Sequence, residues 1–387
     1  EARSEARGKL LQPRGWCSGA QRGVRGWQAV PRSRRRGEGS ASTRLRQRIW
    51  AMAKKREIYT YQAPWNVYGM GWSNRKDDAF SFRFAAGSFR QEYNNKVDII
   101  QYSEEKDEFV RRGGFDHPYP TTKISWIPDP ASSSPDLLAT SGDYLRIWRV
   151  EDGAGPDDCN VRKVCLLNNS KSSDYCAPLT SLDWNQVDTN MIGTASIDTT
   201  CTIWDIQKEQ NKAQLIAHDE EVYDIAFTSR QKDVFATAGA DGSVRMFDLR
   251  QLERSTIIFD GAENSKQALL RLDWNKQDPN FLAIVSMNSS KTLILDQRIP
   301  LRPYAELNGH MGCVNAVAWA PQSSCHVCSV AEDSQALIWE LSAVPRCIDE
   351  PILAYKADSC VNQLQWSTAA TDWVGITFDD KVQVLRV

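Results

Sequence analysis

The chain is short of the residues and patterns that most chemistry needs. Only four of its 387 residues are histidine and six are methionine. No run of about 18 apolar residues occurs, so no membrane-spanning helix and no membrane partner are expected. No Gly-rich phosphate loop follows a strand and opens a helix, and no G-x-S-x-G elbow is present. Nucleotide-dependent and hydrolase chemistry therefore lack their usual supports. Ten cysteines are few for so long a chain, and no charged-then-apolar signal precedes the first patterned segment. We expect a reducing compartment, with the sequons at Asn168 and Asn288 unused. The one C-x-x-C, Cys325-His-Val-Cys328, has no second pair at zinc spacing. It falls in a strand, where alternate side chains diverge, so no metal or cofactor is expected there.

Net charge is also small, at -2, but its distribution is uneven. Residues 1–51 carry 12 Arg and one Lys against three Glu, which makes them +10 and leaves -12 for residues 52–387. An acidic body of that kind has no field to draw in a phosphate backbone, so direct nucleic-acid binding is not expected. The first 51 residues are rich in Arg, Gly and Ser, have no apolar period and should be disordered. Position 1 is Glu, and Met52 opens the run Met-Ala-Lys-Lys-Arg where patterned sequence begins. A translated upstream leader is the expected reading, with a basic arm or an organelle presequence as alternatives.

From Met52 onward one pattern recurs: a short apolar strand ending in an aromatic, a small-residue strand, a tight turn, then a strand ending in an aromatic-acid pair. The anchors Trp72, Trp126, Trp184, Phe227, Trp274, Trp319 and Trp366 are 54, 58, 43, 47, 45 and 47 residues apart. Four of these intervals lie near the roughly 40–45 residues of a four-stranded propeller blade. The unit at 222–259 is the clearest. Val222-Tyr-Asp-Ile-Ala-Phe227, Val234-Phe-Ala-Thr-Ala-Gly239, Val244-Arg-Met-Phe247 and Ser255-Thr-Ile-Ile-Phe259 read as four strands, with Asp241-Gly242 as the hairpin turn. Third strands ending in Trp148, Trp204-Asp205, Phe247-Asp248, Leu295-Asp296 and Trp339-Glu340 resemble the WD40 signature. An all-β, seven-bladed WD40 propeller over residues 52–387 is the expected fold. The last unit lacks a fourth strand, and Glu57-Ile-Tyr-Thr-Tyr61 should supply it and close the ring.

Inner strands carry apolar residues at -5, -2 and 0 from each anchor. A step of three within a strand implies a β-bulge at its start. The residues at -4 are Tyr68, Thr122, Thr180, Tyr223, Leu270, Asn315 and Asn362, and the bulge should gather them at one channel mouth. They serve there either as a protein-docking face or as a plug. His117, Ser141, Asp143 and Trp148 are expected to form a structural hydrogen-bond set rather than a catalytic one. Phe247 and Ala177-Pro178 mark two blades where such a set must be incomplete. Paired carboxylates such as Asp379-Asp380 fall in turns, so an enzyme with a site in the channel is unsupported but kept as an alternative.

Stretches in turns and linkers go beyond a generic repeat: Glu92-Tyr-Asn-Asn-Lys-Val97, Phe115-Asp-His-Pro-Tyr-Pro-Thr-Thr-Lys123, Leu138-Ala-Thr-Ser-Gly-Asp-Tyr-Leu-Arg-Ile-Trp148, Ile197-Asp-Thr-Thr-Cys-Thr-Ile-Trp204 and Gly239-Ala-Asp-Gly-Ser-Val-Arg-Met-Phe-Asp-Leu-Arg250. Together they resemble the anthocyanin-regulator WD-repeat family, which includes the plant Transparent Testa Glabra protein and an animal branch among the cullin-4-associated factors. The resemblance implies a non-catalytic scaffold of cytoplasm and nucleus, monomeric within its complexes. Implied partners are DYRK-family kinases and MYB and basic helix-loop-helix transcription factors. A substrate-receptor role in a cullin-4 ubiquitin ligase is the alternative. Phe247-Asp248-Leu-Arg250 and Leu295-Asp296-Gln-Arg298 resemble the W-D-x-R box offered to the ligase adaptor, with Phe and Leu in place of Trp. The plainer reading is that each Arg pairs with an acid at its strand end.

Overall fold

The computed structural model describes residues 27–29, 57–77, 82–91, 93–153, 159–168, 176–261, 267–341 and 347–387. Every regular element among them is a β-strand. The unit read from the sequence appears as Val222–Phe227, Val234–Gly239, Ser243–Asp248 and Ser255–Asp260, a four-stranded antiparallel meander. Six further blades share that order. Their first strands are Val67–Trp72, Lys123–Trp126, Leu179–Trp184, Leu269–Trp274, Val314–Trp319 and Gln363–Trp366. Numbered in chain order, blades one and two count as one eight-stranded sheet, because their outer strands touch at a single parallel bridge between Gly113 and Cys159.

First strands lie beside first strands all the way round, from Val67–Trp72 through each blade to Gln363–Trp366 and back to Val67–Trp72. Small residues make this approach possible. A Cβ on Gly71 would lie 2.7 Å from the Ile124 carbonyl oxygen of blade two, and one on Gly193 would lie 2.8 Å from Ile225 Cδ1 of blade four. Large aromatics fill the wedge that opens outward. Between blades seven and one, Trp72, Phe84 and Phe109 pack with Val382 and Val384.

The ring closes as expected. Ile58–Gln62 is the outer strand of blade seven, antiparallel to Lys381–Arg386, from Ile58 opposite Leu385 to Gln62 opposite Lys381. Tyr59 leans from this strand onto Phe82, Tyr102, Phe109 and Trp373, at centroid distances of 5.1 to 6.4 Å. Within residues 1–51, Gln28–Ala29 form a short strand against blade six. Residues 1–26 and 30–51, for which disorder is expected, lie outside the described residues.

The closing strand joins chain segments more than 300 residues apart, so its loss should be felt by the whole ring. Deleting residues 1–62 should abolish a single cooperative thermal transition, and Tyr59→Ala should cost about 2–4 kcal/mol. Calorimetry of both variants checks this, and unchanged melting of the deletion would contradict it.

Candidate functional site: two rims of the ring

Strands one and three of each blade run in the same sense. The starts of both therefore lie on one rim, and the ends of strand three lie on the other. On the first rim the bulge is present. Pairing of strands one and two skips a residue between Val67 and Gly69, Leu179 and Ser181, Val222 and Asp224, Leu269 and Arg271, and Val314 and Ala316. The skipped residues are Tyr68, Thr180, Tyr223, Leu270 and Asn315. In blades two and seven Thr122 and Asn362 stand just before the strand, donating their N–H groups to Ser141 and Thr377 carbonyls at 2.9 Å. All seven are half-buried.

Their roles then divide. Thr122 Oγ1 donates to the Leu179 carbonyl at 2.9 Å, Thr180 Oγ1 to Val222 at 2.5 Å, and Asn315 Nδ2 to Val361 at 2.8 Å. Each acceptor lies at or just before the start of the following blade's first strand, so these three stitch neighbours together. The Tyr68 ring packs on Phe89 at 5.4 Å, and Tyr223 and Leu270 are half-buried at the bulge of their own blades. Further out on the same rim, Met311, Ile216 and Tyr93 are 90%, 77% and 75% exposed. Sequence reasoning missed these three, because an exposed apolar residue in a turn has no periodic signature.

Below the mouth lies a channel cavity of about 210 Å³ lined by first-strand residues of several blades. Asp224 Oδ1 meets Lys123 Nζ at 3.0 Å, and its Oδ2 accepts the Leu272 N–H at 2.9 Å. Burial alone would raise this carboxyl, but Lys123, Arg271 and the hydrogen bonds from Ser181 and the Leu272 N–H together hold it below its ordinary range. Burial does push Asp183 up. Asp183 accepts the Phe227 N–H at 2.7 Å, and Asp273 likewise accepts that of Trp319 at 2.7 Å. Gln365 does the same for Trp72 at 3.1 Å. The channel's acids are thus acceptors for the N–H groups of the next blade. An acceptor just ahead of the anchor at 183, 273 and 365 is a signal the sequence did carry.

The histidines sit inside blades. In blade six Trp339 Nε1 donates to Ser329 Oγ at 2.8 Å, Ser329 meets His310 Nε2 at 2.8 Å, and His310 Nδ1 meets Asp333 at 3.1 Å. Blade four keeps His218 with Thr237 at 2.7 Å and Asp241 at 3.0 Å. There Phe247 stacks on Phe235 at 5.3 Å instead of donating. Blade three, without the His, still joins Trp204 Nε1 to Thr194 at 2.9 Å. Blade two corrects the expected membership. His117 and Trp148 meet at Thr140 Oγ1, at 3.2 and 2.9 Å, because alternation turns Thr140 inward to them and Ser141 away to Thr122. Asp143 pairs with Arg146, and the Tyr119 carbonyl takes its place at His117 Nδ1, 2.5 Å away. Burial lowers His117 to about 4. In the Cys325–Cys328 pair, Cys328 is fully buried and its thiol pushed up by that burial.

On the opposite rim Arg250 forks onto Asp248, with Nε at 2.9 Å from Oδ1 and Nη2 at 2.5 Å from Oδ2. Arg298 does the same to Asp296, at 2.9 and 2.7 Å. The side chains of Arg250 and Arg298 are 64% and 58% exposed. Each guanidinium holds its carboxyl below the ordinary range.

Seven such blades closed into a ring, with residues spent on stitching inside and presented surfaces outside, define a WD-repeat adaptor. The WD domain, G-beta repeat family matches residues 209–248 and 301–340. Each match takes the outer strand of one blade and three strands of the next. The DDB1- and CUL4-associated factor 7 homologue of Dictyostelium discoideum is 53% identical over 334 residues, covering 86% of this chain and 100% of the relative. A WD repeat-containing protein of Schizosaccharomyces pombe is 33% identical, over 86% of this chain and 90% of its own length. One of Saccharomyces cerevisiae is 36% identical, over 74% and 58%. The chain belongs to the WD-repeat family of the DDB1- and CUL4-associated factor 7 homologue.

Two outcomes test the buried networks. Ser329→Ala leaves the Trp339 N–H and His310 without their shared partner and should cost about 2–3 kcal/mol in chemical denaturation. His117 is held neutral in the fold, at about 4, against an ordinary 6.5. The unfolded chain therefore takes up the proton first, and stability is fully present above pH 6.5 and falls by up to about 3 kcal/mol towards pH 4. His117→Asn should remove that component from the stability profile over this interval, and an unaltered profile would contradict it.

Proposed function

We propose that the ring is a non-catalytic docking platform that holds a DYRK-family kinase and transcription factors of the MYB or basic helix-loop-helix type on its bulged rim. The observation that carries this reading is the apolar surface there. Tyr68, Tyr223 and Leu270 are held half-buried at the mouth, with Met311, Ile216 and Tyr93 exposed around it. Aromatic and methionine side chains on a rigid rim contribute contact area at low entropic cost. The kinase and transcription-factor partners rest on the resemblance to the anthocyanin-regulator family, which also supports a place in cytoplasm and nucleus.

A second reading has its own support. Arg250 and Arg298 are exposed on the opposite rim, where each pairs with its own strand-end acid as the plainer reading expects and still presents its guanidinium to solvent. The Dictyostelium relative is named for association with DDB1 and CUL4. On this reading the same ring presents clients on one rim to a ligase adaptor on the other.

Affinity purification separates the two. Tyr223→Ala with Leu270→Ala and Met311→Ala should reduce kinase recovery about tenfold and leave any ligase adaptor in place. Arg250→Ala with Arg298→Ala should do the reverse. Kinase recovery unchanged by the triple variant would overturn the first reading, and adaptor recovery unchanged by the double variant would overturn the second.

A further inference from the structure

The outer edges of the blades are not alike. Those of blades one and two touch each other, and Cys347–Ile348 runs parallel to Glu306–Leu307 along the edge of blade five. The outermost strand of blade six proper, Leu353–Lys356, instead carries Gln28–Ala29 on its free side. That pairing is antiparallel, with Gln28 opposite Ala354 and Ala29 opposite Leu353. Ahead of the pair, Trp27 is half-buried against Tyr355, with ring centroids 5.8 Å apart, in a cluster that includes Ile352 and Leu353. Tyr355 donates its hydroxyl to Gln383 at 2.7 Å, and Gln383 reaches Thr60 Oγ1 at 3.2 Å. The contact therefore stands beside the strand that closes the ring.

The Ala357 N–H turns inward to the Ser334 carbonyl at 2.8 Å, in the register that sets Leu353 opposite Ile338 and Tyr355 opposite Ala336. Alternation along the strand then turns the N–H groups of Ala354 and Lys356 outward, where an added strand can accept them. The Trp27 indole N–H, though buried, finds no acceptor among the described residues. Ring area rather than a hydrogen bond holds the aromatic. Strand addition to an open edge draws affinity from the main chain and selectivity from such side-chain pockets.

We propose that the outer edge of blade six is a peptide-binding site for an extended segment with a large aromatic anchor just ahead of the paired residues, and that Trp27–Ala29 occupy it in cis. It is separate from both rims and does not depend on the function proposed for them. Being tied to the ring, the cis occupant competes at the high effective concentration of an intramolecular ligand. A peptide in trans gains entry only when Trp27 is withdrawn.

Hydrogen exchange of the full chain, with a synthetic peptide covering residues 22–34 as the probe, tests this. In Trp27→Ala the segment 352–356 should exchange about tenfold faster than in the unaltered chain. Trp27→Phe, which keeps the ring, should stay close to the unaltered chain. Added peptide should restore slow exchange in Trp27→Ala, and the same peptide with alanine at the Trp27 position should not. Unchanged exchange in Trp27→Ala would overturn the proposal, as would protection by the alanine peptide. Acceleration spread equally through Trp373–Phe378 would also overturn it, because Trp27 would then be ordinary support for the ring.

Discussion

Everything in this molecule depends on a wedge that can be buried only if the ring is complete. Each blade hides one face against its neighbour, and small residues on first and second strands, such as Gly71 and Gly193, set how closely two sheets approach. An open row of seven blades would leave two apolar faces and two strand edges in water. Pairing Ile58–Gln62 with Lys381–Arg386 removes that alternative by making the last blade from both ends of the propeller. The two family matches show the same interlock inside the chain, since each begins at an outer strand and ends in the following blade. Blade boundaries and repeat boundaries are out of step, so no blade can detach without unpicking the next.

Close packing of sheets strands polar groups, and the polar networks answer that problem. A Trp indole on a third strand has its N–H inside the blade and must find an acceptor there. Ser329, Thr140 and Thr194 supply it in three blades. Where Phe247 replaces the Trp, the need disappears and stacking on Phe235 fills the space. Anchor Trp residues solve the same problem in two ways. Trp184, Trp274 and Trp366 donate to a carbonyl five residues on, while Trp72, Trp126 and Trp319 donate to the preceding blade. His218 and His310 thus link a hydroxyl to a carboxylate inside their blades, and His117 links a hydroxyl to a backbone carbonyl.

The fold was legible because period-2 strands, Asp-Gly turns and anchor spacing all report backbone geometry directly. The bulge was legible for the same reason, since an apolar step of three inside a strand has no other regular explanation. Set membership in blade two was not. Ser141 and Thr140 are adjacent and chemically alike, and only the register of Leu137–Ser141 against Leu145–Asp152 decides which faces His117. Asp143 could satisfy a histidine or an arginine, and three residues of separation from Arg146 settled it in favour of the arginine. The split among the seven mouth residues was equally hidden. Whether Thr180 or Tyr223 reaches the next blade depends on a carbonyl contributed from more than 40 residues away.

A ring built in this way has little freedom to adapt its shape to a partner, so discrimination must come from what stands on its rims. On the bulged rim, Asp116 and Asp219 are among the exposed acids, at 83% and 81%, within a body that carries -12 beyond residue 51. On the proposed reading such a field speeds the approach of basic segments, and the apolar mouth residues supply the short-range contact that retains a partner. The opposite rim works on another principle. Arg250 and Arg298 are held in forked geometry by their own acids, so on the ligase reading proposed above an incoming acceptor meets a guanidinium already oriented. On the proposed reading, two rims that offer different kinds of contact can be filled at the same time, and that simultaneous occupancy is what an adaptor must provide.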